Sequence, residues 1–228
     1  MAPVQIEHFL AQLPQFKELG RVGIARIAAA ATERIFPRRT IIFRRGGLCA
    51  GLHVVVSGQV KLSVHTARGD ETLVDLVSSG MSIGEEAIFL GKSHFVTAET
   101  VTETRVIYLT TRAVMEEIRQ NHHFSRCLLS VLSRRLYERT RDLESFTLRS
   151  GTERVVTYLL HHEPEAKFNG TRLIMLSAAK GLIAARLNLT KEHFSRILHE
   201  LHAAGLIQVN GRSVCILDTG RLQAHGAE

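Results

Sequence analysis

Ser177-Ala-Ala-Lys-Gly-Leu-Ile-Ala-Ala-Arg-Leu-Asn-Leu-Thr190-Lys-Glu-His-Phe-Ser-Arg-Ile-Leu-His-Glu-Leu-His-Ala-Ala-Gly-Leu-Ile207 reads as a helix, a short turn, a second helix and a glycine stop. Phe194, Ile197, Leu198 and Leu201 follow the i, i+3, i+4, i+7 spacing of one buried helical face. Glu192, Arg196 and His199 then fall on the opposite face, with Ser195 at its edge. A carboxylate, a guanidinium and an imidazole on one exposed stripe can meet base edges in the major groove of DNA. Asn188 stands where the chain must turn, and Asn tolerates the left-handed conformation better than most residues. Thr190 is placed to cap the second helix, and Gly205 to stop it. Leu206–Val209, the turn pair Asn210-Gly211 and Ser213–Leu217 read as a two-strand hairpin. The sum is a winged helix-turn-helix.

Outward from that segment, 228 residues with 45% apolar and 22% charged content are ordinary globular composition, enough for one large or two small domains. No apolar run reaches the length of a membrane span, and the start lacks a secretory pattern. A cytoplasmic location and no membrane partner are expected. The net charge of +7 suits a phosphate-bearing partner. Cys49, Cys127 and Cys215 are scattered, which argues against a disulfide framework or a thiolate metal site. Twelve histidines include the pairs His122-His123 and His161-His162, neither with metal-motif spacing. No metal site is expected.

Residues 5–35 read as helical, up to Pro37. From Thr40 to Leu109 the character changes to short β-rich segments punctuated by glycines: 40–43, 52–56, 60–64, 72–77, 95–101 and 105–109. That rhythm suggests a sandwich or jelly roll. Helix returns at about Thr111. Within 123–146, Leu129, Leu132, Leu136, Leu143 and Phe146 form a heptad seam with Arg139 in the one missing place. Such a seam needs a partner helix, and a second copy of itself is the simplest, giving a two-fold dimer. A loop with Pro164 and Gly170 and a short strand near 173–176 lead into the helix-turn-helix. The expected division is a sensor domain over 1–110, a linker and dimerisation helix over 111–148, and a DNA-binding domain over 149–228.

The chain resembles the superfamily of bacterial transcription regulators typified by the cyclic-AMP receptor protein and the fumarate–nitrate reductase regulator (CRP/FNR). The resemblance rests on Leu52–Leu62, Gly69-Asp-Glu-Thr-Leu73, Gly80-Met-Ser-Ile-Gly-Glu-Glu-Ala-Ile-Phe89 and Lys191-Glu-His-Phe-Ser-Arg-Ile-Leu198. Glu153–Leu160 and Glu192–Arg196 look most like the dissimilatory nitrate respiration regulators (DNR). It implies an α+β fold: a β-roll like those that bind cyclic nucleotides, a long dimerisation helix and a winged helix-turn-helix. It also implies a homodimer on a palindromic promoter site, with RNA polymerase as a further partner.

Glu192, Ser195 and Arg196 are the expected base readers, Glu accepting from cytosine and Arg pairing with guanine through two parallel bonds. The resemblance implies half-sites like TTGAT, inverted in the other half; Lys191 departs from close relatives, which often carry an uncharged residue there. Lys180, Thr190, Lys191, His199 and Arg212 are expected at phosphates or flanking positions. For the effector pocket, Gly84-Glu85 matches the pair that holds the ribose in cyclic-nucleotide-binding relatives. His94-Phe95 falls where an Arg-Ser pair would hold the phosphate, which disfavours cyclic AMP. The first cysteine is Cys49, so the N-terminal iron–sulfur chemistry of oxygen-sensing relatives is absent. The cofactor is undetermined, with haem open as in nitric-oxide-sensing relatives; His8, His53, His94 and His123 are then the candidate ligands.

Two competing readings are a cupin-type metalloenzyme and a nucleotide-binding regulatory subunit that does not bind DNA. His53 and His65 stand alone with no H-x-H pair, and no G-x-S-x-G nucleophile motif is present, so no enzyme is expected. The segment after Ser177 argues against the second reading.

Overall fold

The β-rich middle of the chain folds as two packed sheets because its apolar residues serve two cores at once. The computed structural model describes residues 5–65, 71–161, 166–168 and 171–226. Gly69 and Asp70 of the second motif, His162, and Pro164 and Gly170 of the expected loop lie outside the described residues. The chain divides into two units, Met1–Tyr137 and Glu138–Glu228.

The first unit contains α1 (Ile6–Ala11), α2 (Gly20–Ala29), β1 (Ala31–Phe36), β2 (Ile41–Phe43), β3 (Gly51–Ser57), β4 (Val60–His65), β5 (Glu71–Val77), β6 (Ser82–Ile83), α3 (Glu85–Leu90), β7 (Thr97–Thr100), β8 (Thr104–Thr110) and α4 (Thr111–Gln120). Helix α5 (His122–Leu148) crosses the division. The described strands form two antiparallel sheets, ordered β1-β8-β3-β6 and β2-β7-β4-β5. Strands β3 and β8 are covered on both faces, so they read as apolar runs without alternation. Their neighbours still point to opposite sides. Val55 and Val106 turn into the roll with Val60, Val77, Ile83 and Ala98. Leu52, Val54, Ile107 and Leu109 turn outward beneath Leu10, Phe16, Ile24, Ile27 and Phe124.

The expected strands are present, each within two residues of its bounds or inside them. The helical reading of residues 5–35 is corrected. Helix α2 ends at Ala29, and Ala31–Phe36 is strand β1, paired with β8 from Ala31↔Leu109 to Phe36↔Thr104. The helical spacing of Ile24, Ile27 and Ala28 stops at that end. Beyond it, the ladder to β8 and the Arg105–Glu33 ion pair at 3.0 Å override local propensity.

The second unit contains α6 (Gly151–His161), β9 (Ala166–Phe168), β10 (Thr171–Met175), α7 (Lys180–Arg186), α8 (Lys191–Ala203), β11 (Ile207–Asn210), β12 (Ser213–Ile216) and α9 (Thr219–His225). The expected hairpin is β11–β12, turning at Gly211 with φ 59°. It is the edge of a larger sheet, β11-β12-β10-β9. Helix α9, capped by Asp218, was not foreseen. The architecture is the α+β arrangement expected: β-roll, long helix, winged helix-turn-helix.

Candidate nucleic-acid interface and effector cleft

Helix α8 is held by its apolar face. Phe194, Ile197, Leu198 and Leu201 are all buried. Each contributes about 1.5–3 kcal/mol, far more than a 13-residue helix gains from propensity alone. The Thr190 hydroxyl accepts the His193 N–H at 3.1 Å, capping the helix. Asn188 takes the left-handed turn, φ 53°, and Gly205 follows the helix end at φ 67°. With one face pinned and both ends fixed, Lys191, Glu192, Ser195, Arg196 and His199 are exposed together. Arg196 Nε lies 3.9 Å from Glu200 Oε1. A solvated pair at that distance is weak and leaves the guanidinium available to a base.

The expected phosphate residues differ in their surroundings. Thr190 is exposed and acts as the cap. Lys180 opens α7 and is half-buried. The next residue, Gly181, faces Lys191, whose Cδ would stand 3.8 Å from an added Cβ, so the starts of α7 and α8 adjoin. Arg212 is already engaged: its Nε and Nη2 donate to Leu176 O at 3.2 and 2.7 Å, tying the wing's turn to the end of β10. The start of α6 carries a reciprocal cap. The Ser150 N–H donates to the Glu153 carboxylate and the Glu153 N–H to Ser150 Oγ, which holds the Glu153 carboxyl below its usual range. Its S-x-x-E signature is plain in the sequence.

On α5, Leu129, Leu136 and Leu143 are 64%, 70% and 65% exposed, while Leu132 and Phe146 are half-buried. The buried side of the same helix carries Phe124, Cys127 and Leu128. Arg139, in the gap of the seam, pairs with Asp142 at 3.1 Å.

In the β-roll the expected effector residues lie close together: a Cβ added at Gly84 would stand 3.8 Å from His94 Cε1, while the Glu85 side chain turns to Ser82 and Arg135. Gly84, at φ 107°, opens α3; an added Cβ would stand 2.9 Å from Gly51 O, so only glycine fits. Glu85 is buried and already partnered. Its Oε1 accepts from the Ser82 hydroxyl and from Arg135 Nη1 at 3.1 Å, while Arg135 Nη2 donates to Ser82 O at 2.7 Å. Its second oxygen, Oε2, is buried without a hydrogen bond among the described residues. Arg135 carried no signal in the sequence.

His94 and Phe95 line a cleft of about 480 Å³ with Arg45, Glu86, Leu90 and Lys92. Phe95 is 64% exposed, with the Arg45 guanidinium 5.3 Å from its ring centre. His94 is buried and stacked on Phe43, centroids 3.7 Å apart; its Nδ1 has no hydrogen bond among the described residues. His53 also neighbours Phe43, with ring centroids 5.9 Å apart, and lies 4.9 Å from Tyr108. Burial holds His53 neutral, its pKa lowered to about 4, with Arg34 and His94 acting in the same direction. Burial also lowers His94 and raises the carboxyl of Glu86. Cys49, whose thiol reaches Gly51 O and Gly84 O at 3.6 Å, is raised by burial. Of the other two histidines, His8 is exposed beside Gln12, and His123 is exposed 3.9 Å from Glu18. No group of three His, Cys, Asp or Glu among the described residues is placed to hold a metal ion. No helix among the described residues is long and apolar enough to cross a membrane.

Comparison with known proteins matches residues 33–121 to a cyclic nucleotide-binding domain and residues 153–225 to a Crp-like helix-turn-helix domain. The chain is 26% identical, over 95% of its own length and 98% of the relative's, to the CRP-like cAMP-activated global transcriptional regulator of Mycobacterium tuberculosis. Among solved structures, FixK2 from Bradyrhizobium japonicum shares the fold at a TM-score of 0.74, 23% identity, over 85% of this chain and 96% of that one. DNR from Pseudomonas aeruginosa is 27% identical with a TM-score of 0.54, over 98% of this chain and 99% of that one.

Proposed function

We propose that the chain, whose two matched domains are a cyclic nucleotide-binding domain and a Crp-like helix-turn-helix domain, is a CRP/FNR-type transcription regulator rather than an enzyme, and that it works as a homodimer reading an inverted repeat of TTGAT-like half-sites, in the manner of the DNR type. The observation that carries this reading is the stripe on α8, where Glu192, Ser195, Arg196 and His199 stand exposed over a fully buried face. Arg196 pairs with a guanine and Glu192 with a cytosine, each pair discriminating by roughly 1–3 kcal/mol. Lys180, Lys191, His199 and the remaining amino group of Arg212 hold phosphates and fix register. RNA polymerase is the further partner.

Fluorescence anisotropy on TTGAT-type and scrambled duplexes tests it. Arg196→Ala should lower affinity for the TTGAT duplex about 5- to 150-fold, the same 1–3 kcal/mol, and leave scrambled binding unchanged. Lys180→Ala should weaken both and flatten the salt dependence. Equal loss on both duplexes in Arg196→Ala contradicts base reading.

The effector site is the cleft bordered by His94 and Phe95. Cyclic AMP is disfavoured there, because Phe95 supplies no hydroxyl and Glu85 is engaged by Arg135. Haem, the cofactor implied by nitric-oxide-sensing relatives, fits on three counts: a ring nitrogen of His94 without a partner among the described residues, apolar walls from Ala87, Leu90 and Phe95, and two cations, Arg45 and Lys92, for its carboxylates. When bound, its iron would supply a site for a diatomic gas. A sharp Soret band in haem-reconstituted protein, lost in His94→Ala, is the expected result; an identical band in that variant excludes His94 as the ligand.

A further inference from the structure

One guanidinium in the second unit touches three segments of chain. Arg154, in the first turn of α6, donates from Nη1 to Leu187 O at 2.7 Å and to Asn188 O at 3.2 Å. From Nε it reaches Ser150 O at 3.4 Å. Its Cζ lies 5.8 Å from the centre of the Phe146 ring.

Each contact has its own meaning. Leu187 and Asn188 form the turn between α7 and α8, where the chain goes left-handed and a helix end leaves carbonyls without intrahelical partners. A cationic donor at a helix C-terminus satisfies those carbonyls and complements their partial charge. Ser150 is the joint after α5, and Phe146 sits in the last turn of α5. The neighbouring Gly151 packs so closely on the start of α8 that an added Cβ would stand 3.1 Å from the His193 ring and 3.2 Å from Leu189. The end of α5, the joint and the turn of the DNA-reading motif thus meet at a single side chain.

We infer that Arg154 is a positioning residue for DNA recognition: it fixes the angle between the end of α5 and the recognition helix, and so sets the spacing of half-sites that a dimer accepts. The inference rests on the reading above, that two copies bind an inverted repeat. Arginine suits the task where lysine does not. The guanidinium bonds the two turn carbonyls from Nη1 and Ser150 O from Nε while its Cζ stays 5.8 Å from the Phe146 ring centre, a set of contacts that the single nitrogen of a lysine ammonium does not span. Lysine at this position therefore keeps the cap of the turn and loses the tie to α5.

The test is a spacing profile on the full-length chain by fluorescence anisotropy. The duplexes carry inverted TTGAT half-sites with centres about 10 bp apart, the same sites with one or two base pairs added or removed, a single half-site, and a scrambled control. Wild type should show one preferred spacing, with affinity falling about tenfold away from it, within the usual range of couplings. Arg154→Lys should flatten that profile, lowering affinity at the preferred spacing while leaving single half-site binding and the melting temperature near wild type. A profile of unchanged shape in that variant overturns the inference. So does a uniform loss at all spacings that tracks a lowered melting temperature, the mark of a purely structural role. A wild-type chain that prefers no TTGAT duplex over the scrambled one overturns the underlying reading instead.

Discussion

His53 shows how a single side chain can report on the packing of the whole roll. Its ring is enclosed by Phe43 and Tyr108, with Nδ1 unbonded among the described residues. Protonating it there would place a charge in an apolar enclosure that also feels Arg34. The folded pKa, about 4, lies below the ordinary value of 6.5. Between those values the unfolded chain binds the proton and the folded chain does not. Stability is therefore complete above about pH 6.5, falls as the pH drops toward 4, and loses on the order of 3 kcal/mol over that window. His94, lowered by burial as well, acts with the same sign. Urea unfolding at a series of pH values should show this decline in wild type and a shallower one in His53→Phe. Parallel curves would mean that His53 is not the group being protonated.

The residue scale also shows where sequence reading stops. Asn188, Thr190 and Gly205 were legible because each has a local backbone task that its own chemistry solves. Arg135 and Arg154 were not, because their partners, Glu85 and the Leu187–Asn188 carbonyls, are distant in sequence. An arginine among others carries no mark of a partner fifty residues away.

At the scale of elements, period decided what could be read. Helix α8 has a clean four-residue apolar set, and its exposed stripe follows from that set by angle alone. The strands with flanking glycines were equally plain. Strand β1 was not: Ala31-Thr-Glu-Arg-Ile-Phe36 has no alternation of apolar and polar residues, and its identity comes from pairing with β8, a strand more than seventy residues away. Helix α9 was hidden because seven residues are too few to display a helical apolar period. The seam of α5 was legible as a heptad, and its leucines at 129, 136 and 143 are left uncovered in the single chain. Arg139 does not spoil that stripe, since Asp142 accepts its charge one turn away. Burying three such leucines against a second copy contributes about 1.5–3 kcal/mol each, so one carboxylate placed among them opposes association strongly.

For the molecule as a whole, the net charge of +7 and the matched domain pair fit a regulator that meets a dense row of phosphates. In the proposed reading, charge brings the chain to DNA, the α8 stripe selects sequence, and the α5 seam brings two stripes to one duplex. An effector acts on such a design only by favouring one arrangement of the two copies over another. All of this depends on paired chains meeting paired half-sites. Sedimentation of the chain with a labelled duplex carrying the inverted TTGAT repeat should find two chains per duplex for wild type, and a monomer that forms no such complex for the Leu136→Glu, Leu143→Glu double variant. One chain per duplex, or a double variant that still assembles as wild type does, would contradict that pairing.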